Sequence, residues 1–439
     1  MALEHLARGV DRDALGQVAE SAGTPDTAAQ LSLALALARI ERNGFVRYTV
    51  ADSRGSIATL EPVAPGCFLD NPVLPGRCLL SRFACLRRVH DALIIESPLG
   101  HARVVLHGGR GAAVLAQLAV PRTLADLSAQ SAQSAMSNSA DAIEPEAVGA
   151  FVGLLARAKM VWPCDDNGRI AEDDSEPLRH WEFHDLLFHS HSRMGRHDHP
   201  YAAALPWLAT VPPSPVTKPS RSGRRTRLYV PDIQALMASD VPFTRVAEAR
   251  RSIRPPGDSP PRLEQLGEFL YRVARIQTVV DASPEKGRPC DVSLRPCASG
   301  GGLHPLELYL TVSRCLGVDP GFYHYDPLAH ELEHVGDLGP PQRRLLEGAR
   351  HAAGTETPPD ILITLAARFA RVARKYQSIA YAMVLKDVGA LYQQMYLVAT
   401  ALNLAPCALG GGDADAFAEA AGVEYATEAS VGEFMLSGR

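Results

Sequence analysis

The sequence predicts an α+β chain, with its catalytic body in the C-terminal half and smaller helix-and-hairpin modules ahead of it. Three observations lead there. Apolar residues recur at helical spacing in some windows and alternate in others, helices and short strands are interleaved after residue 226, and no GxGxxG fingerprint of a dinucleotide crevice occurs. The 439 residues exceed what one core usually organises, and 46% hydrophobic content supplies material for more than one.

Four regions follow. Residues 1–65 read as a winged-helix-like module: Thr24-Pro25 offers a helix start, LSLALALARIERN runs to Gly44, and two strands surround ADSRGS. Residues 66–165 read as a second such module, with a flexible serine-rich insertion, SAQSAQSAMSNSADA, before the helix PEAVGAFVGLLARAK. Residues 166–225 hold a histidine-rich stretch and a Pro/Ser/Arg-rich linker, VPPSPVTKPSRSGRRTR. Residues 226–439 form the last domain, with helices at FTRVAEARRS, RLEQLGEFLYRVARI and QRRLLEGARHA and strands at LELYLTVS, GFYHYDP, HELEHVG and ILITLAA. Its longest helix is expected from Lys375 to Ala401, apolar on almost every side, ending at a left-handed Asn403 before Pro406.

Several functions are excluded early. The net charge of −5 gives no general attraction to nucleic acid, and the helix Pro145–Lys159 lacks a cationic reading face. No apolar run of about 18 residues suggests a membrane span, and the N-terminus lacks a signal pattern, so the reading is cytoplasmic. Eight scattered cysteines without CxxC suit reduced thiols, Cys290 and Cys297 included. His180, His184, His189, His191, His197 and His199 cluster without completing a ligand shell, so no metal is assigned.

Three short motifs carry chemistry. Arg250, Arg251, Ser252 and Arg254 concentrate guanidinium groups and a hydroxyl suited to a phosphate, or form a solvated helix end. CASGGGLHPLELY bares the main chain at Ser299, Gly300 and Gly301, as a ligand wall or a loose turn. Gly410 and Gly411 repeat that feature beyond the long helix.

Taken together, RRSIR, RPCASGGGLHPLELY, PGFYHYDP and RKYQSIAYAMVLKDVGALYQQMYLVATALNLAPCALGG resemble the SagB-type dehydrogenases of the nitroreductase-like flavoprotein superfamily. The resemblance runs from about residue 225 to the end, and WEFHDLLFHSHSR resembles the region before that family's catalytic domain. It implies an FMN-dependent azoline dehydrogenase that oxidises thiazoline or oxazoline rings to thiazoles or oxazoles in a ribosomally made peptide. It implies that Arg250, Arg251, Ser252, Arg254 and Arg439 hold the phosphate and ribityl chain. Ser299, Gly300, Gly301, Gly410 and Gly411 would line the flavin, and Lys375 with Tyr376 would transfer the proton. A lysine base needs its ammonium disfavoured, and Arg368, Arg371 and Arg374 are the expected neighbouring cations. A catalytic role for His304 stays open. A homodimer, an azoline precursor peptide and a cyclodehydratase complex are the implied partners. An NAD(P)H-dependent reductase of dehydroamino acids or nitro compounds, or a non-catalytic peptide-binding scaffold, are the alternatives.

Overall fold

A computed structural model describes residues 9–10, 27–64, 74, 76–136, 142–221 and 223–439. The chain divides into two compact units, residues 1–199 and 200–439. Among the described residues no helix is long and apolar enough to cross a membrane.

The first unit contains a five-stranded antiparallel sheet and a three-stranded one. Strands β1 (Tyr48–Asp52), β2 (Gly55–Pro62), β4 (Cys85–Val89), β5 (Ala92–Glu96) and β6 (Ala102–Leu106) take the order β1-β2-β6-β5-β4. β3 (Arg77–Leu80) lies between β7 (Arg122–Thr123) and β8 (Val161–Pro163). The boundary expected between residues 65 and 66 is therefore corrected. β2 pairs with β6 across it, and Ile57, Leu60, Val104, Leu106 and Phe151 share one buried core, so residues 1–65 and 66–165 are not separate modules. Neither hairpin alone could bury its apolar face, and each supplies the other's cover.

Part of the serine-rich stretch is also corrected. A helix spans Leu124–Met136, because alanine and glutamine favour it and the buried Ser131 hydroxyl exchanges hydrogen bonds with the Ile143 backbone at 2.6 and 2.9 Å. The first helix, Thr27–Arg42, ends before Gly44 as expected, while Thr24-Pro25 and Cys67 lie outside the described residues.

The second unit is a seven-stranded antiparallel sheet between two helical layers. Its order is β16-β17-β15-β12-β13-β14-β9. The strands are β9 (Arg225–Arg227), β12 (Leu306–Val312), β13 (Gly321–Asp326), β14 (Glu331–Gly336), β15 (Ile361–Arg368), β16 (Ala405–Leu409) and β17 (Glu428–Ser437). The hairpin β10 (Thr278–Val280) and β11 (Val292–Leu294) stands beside them in sequence as a separate two-stranded sheet. Alternation decides the layers: Leu308, Leu310, Ile363 and Leu365 face the long helix, while Tyr309, Leu362 and Ala366 face the helices Pro340–Ala353 and Ala414–Ala421. β16 and β17 escaped the sequence reading, since Pro406 and Gly432 weaken their strand signal. Pro406 is tolerated because β16 is an edge strand.

The long helix starts at Ala380 rather than Lys375. Phe369–Ala373 forms a separate short helix, and Ser378, at φ 62°, breaks the hydrogen-bond ladder between the two. The far end follows expectation: Asn403 sits at φ 55° and the Leu404 N–H returns to the Ala399 carbonyl at 2.8 Å.

Ile363 is fully buried at the centre of β15. Ile363→Ala should destabilise the C-terminal unit by about 2–5 kcal/mol, and Ile363→Val by about 0.5–1.5 kcal/mol, measured by urea unfolding.

Candidate active site

The glycine turn lies between β11 and β12. Gly301 and Gly302 have φ of 65° and 68°, a backbone that side-chain-bearing residues rarely adopt. The turn is fastened to the long helix by one carboxylate. Asp387 accepts the Ser299 hydroxyl at 2.5 Å and the Gly300 N–H at 3.1 Å, and Ser299 Oγ accepts the His304 N–H at 2.9 Å. Burial pushes the Asp387 carboxyl above the usual carboxylate range, against the pull of those two donors.

Space explains the bare backbone. A Cβ at Gly301 would stand 2.8 Å from Tyr376 Oη and 3.0 Å from Lys375 Nζ, and one at Gly300 would collide with the Met383 methyl group. The turn thus meets Lys375 and Tyr376, whose ammonium lies 5.2 Å from the tyrosine ring centroid. Ser299, Gly300, Gly301, Lys375 and Tyr376, from two distant stretches of sequence, converge on one place.

Ser299 of the turn also lines a small, mainly apolar cavity with Val273, Leu306, Leu308 and Leu391, into which Arg295, Cys297, His304 and Asp387 bring the polar groups. Burial lowers the Arg295 guanidinium to about 10 and raises the Cys297 thiol to about 11, so that thiol is not a poised thiolate. Burial, reinforced by Arg295 and Arg371, takes His304 down to about 3 and keeps its ring neutral.

A second locus gathers the cationic residues. Arg251, Ser252, Arg254 and Arg439 line one open groove. Ser252 Oγ and Tyr396 Oη share a 2.8 Å hydrogen bond, Tyr396 Oη accepts the Ala408 N–H at 2.8 Å, and Arg250 stands 5.2 Å from the Tyr396 ring. Arg439 donates to Asn403 Oδ1 at 2.9 Å. Asp387 and Tyr396 are nine residues apart on the long helix, so the two loci are offset by about 14 Å along its axis.

Other expectations fare differently. No atom beyond the immediate chain neighbours approaches within 4 Å of a Cβ placed at Gly410 or Gly411; the crowded glycine is Gly412, which would run into the buried Glu433 carboxylate. Arg368, Arg371 and Arg374 do not turn to Lys375. Arg371 donates to the Leu303 carbonyl, Arg374 to the Val211 carbonyl and Arg368 to Glu307. Asp387, Tyr396 and Glu433 were missed by the sequence reading. Asp387 had a signal, an acid inside an otherwise apolar helix, whereas Tyr396 and Glu433 looked like ordinary helix and strand residues.

His304 generates a pH prediction. Its unfolded form binds a proton below about 6.5 while the folded form stays neutral to about 3, so its contribution is present above pH 6.5 and is lost as the pH falls towards 3. Asparagine tolerates the φ of 43° and does not titrate. His304→Asn should therefore show a smaller fall in urea midpoint than the parent between pH 6.5 and the acid limit.

Comparison with known proteins finds relatives for separate stretches of the chain. Residues 78–198 match the family described as cyanobactin oxidase ThcOx, and residues 247–436 match the nitroreductase family. A nitroreductase-named protein of Methanocaldococcus jannaschii is 27% identical over 188 residues, covering 43% of this chain and 85% of that one. The microcin B17-processing protein McbC of Escherichia coli is 31% identical over 118 residues, 25% of this chain and 42% of that one. Among solved structures, a nitroreductase-type protein of Ralstonia eutropha aligns at 20% identity and TM-score 0.38, over 55% of this chain and 98% of that one. A chain of the Escherichia coli microcin synthetase McbBCD complex, with truncated pro-MccB17 bound, aligns at 21% identity and TM-score 0.34, over 49% and 84%. Residues 78–198 are thus similar to the cyanobactin oxidase ThcOx family and residues 247–436 to the nitroreductase family, an oxidoreductase likeness that bears out the SagB-type resemblance of the motifs.

Proposed function

We propose that the chain is an FMN-dependent azoline dehydrogenase acting on a ribosomally made peptide. The observation that carries this reading is the meeting of Lys375 Nζ and Tyr376 Oη at Gly301. A base and a hydroxyl held together beside bare backbone suit removal of an acidic C–H from a flat ring pressed against that backbone.

The donor set fits FMN. Arg251, Ser252, Arg254 and Arg439 line a shared groove, and among the described residues no ion pair to a carboxylate consumes Arg251 or Arg254, so their charge is available to a phosphate. Arg250 would steady the groove through Tyr396. Ser299, Gly300 and Gly301 would form the wall beside the ring, with Gly410 and Gly411 in the exposed loop near it. Bound there, FMN supplies a two-electron acceptor for the hydride that leaves the former β-carbon. Lys375 Nζ takes the proton from the former α-carbon, which the neighbouring C=N and carbonyl acidify. Tyr376 Oη holds the lysine and the substrate polar edge in line. Neutral His304 adds no competing charge at the turn.

Partners follow from two surfaces. Tyr381 and Leu385, 46% and 39% exposed one helical turn apart on the long helix, favour burial against a second copy of the chain. In the first unit, β1 and β4 end the five-stranded sheet, and an extended peptide can add to such an edge by main-chain hydrogen bonds. A cyclodehydratase that makes the azoline would act upstream.

The test is anaerobic. Purified protein should take up FMN, and an azoline peptide, rather than NAD(P)H, should bleach it; rapid bleaching by NAD(P)H alone would point to a reductase. Protein that takes up no FMN would overturn the reading. Arg251→Ala should weaken FMN binding by about 1.5–3 kcal/mol, read by fluorescence titration. Lys375→Ala should keep FMN and peptide binding while lowering single-turnover flavin reduction by about 10²–10⁴-fold. Light scattering should report a dimer at micromolar concentration.

A further inference from the structure

Residues 200–216 lie between the two family matches and belong to neither. Residues 200–205 nevertheless bond the turn Lys375–Ser378, and residues 211–215 bond the strand end and short helix that lead into it. At one end the Gln377 N–H donates to the Ala202 carbonyl, the Leu205 N–H to the Lys375 carbonyl, and Ser378 Oγ to the Pro200 carbonyl, each at 3.0 Å. At the other end Arg374 Nε donates to the Val211 carbonyl at 2.7 Å, Arg371 Nη1 to Ser214 at 2.7 Å and Arg368 Nη2 to Pro215 at 2.8 Å.

The spacing of these arginines is informative. Residues 368, 371 and 374 follow one another at intervals of three, so one face of the short helix and its flanks presents successive guanidiniums to successive carbonyls of the segment. Arg371 and Arg374 are only 3% and 8% exposed, and buried charges are costly unless hydrogen-bonded. Backbone strain gathers here as well. Ala202, Leu205 and Ser378 have φ of 65°, 52° and 62°, three of the eight non-glycine residues with positive φ among the described residues. Such conformations persist where surrounding contacts over-determine them. An ordinary linker needs neither buried cations nor strained backbone.

We propose that Pro200–Val216 is a positioning strap of the active site, which fixes the Lys375–Tyr376 turn so that the lysine amine and the tyrosine hydroxyl stay at Gly301. The proposal rests on the proton-transfer role given above to Lys375. The strap touches the turn through Lys375's own carbonyl and through the residue after Tyr376, so its loss acts on where the reactive groups point. Arg374 and Ser378 are positioning residues and do not contact the substrate in this scheme.

The experiment uses full-length protein with FMN added and three variants, Arg374→Gln, Arg374→Lys and Ser378→Gly. Glycine accepts the left-handed φ at 378 and removes only the hydroxyl contact, so that variant keeps the test decisive if Arg374→Gln fails to fold. Two quantities are read: the rate of Lys375 acetylation by acetic anhydride, followed by mass spectrometry, and kcat with KM for an azoline peptide. Arg374→Gln and Ser378→Gly should alter the acetylation rate several-fold and lower kcat by about 10- to 100-fold, with KM changed less than about threefold. Arg374→Lys, which keeps a charged donor, should recover part of both losses. Parent-like acetylation in both Arg374→Gln and Ser378→Gly overturns the strap. An altered acetylation rate in a protein whose parent never oxidises azoline peptide sustains the strap and overturns the dehydrogenase reading.

Discussion

The catalytic unit depends on how one apolar helix is buried while carrying a single carboxylate into that burial. Ala380–Ala401 packs Val384, Val388, Leu391, Met395 and Val398 against the sheet, and Asp387 rides among them. An isolated buried carboxylate is expensive, and its cost is relieved by the Ser299 hydroxyl and the Gly300 N–H. The glycine turn therefore has one place to be, and everything that meets it inherits that position. Moving the helix would drag the turn with it.

The antiparallel sheet was legible where both physical signals agreed. β12, β13, β14 and β15 combine β-branched and aromatic residues with turn residues at their ends, and all four are present. β16 and β17 were not legible, because a proline and a glycine argue locally against strands that the neighbouring β15 makes favourable. The start of the long helix was misread for a related reason. Lys375–Ile379 has helical composition, but its Lys375 carbonyl and Gln377 N–H are claimed by Leu205 and Ala202, a contact that no local pattern announces.

The candidate site divides along the same line. Residue types announced it: clustered arginines, bare glycines and a Lys-Tyr pair are unusual enough to be noticed one by one. Their grouping was not announced. Sequence suggested that the glycines cleared space for a ligand, and within the chain they also clear space for Met383, Lys375 and Tyr376. It suggested that Arg371 and Arg374 act through charge on Lys375, and their guanidiniums are spent on carbonyls instead. Charge can be counted from a sequence, but the direction of a guanidinium depends on the acceptors the fold brings within reach.

The two borders of the seven-stranded sheet bear on how this protein behaves in a crowded solution. One border is β16, with Pro406 as its second residue, and the other is β9, three residues of sequence Arg-Thr-Arg. A proline withholds a main-chain donor, and a strand of three residues offers little template. The catalytic sheet is thereby poorly suited to growing sideways into fibrils or sheet-extended clumps, even though its interior strands are among the most apolar in the chain.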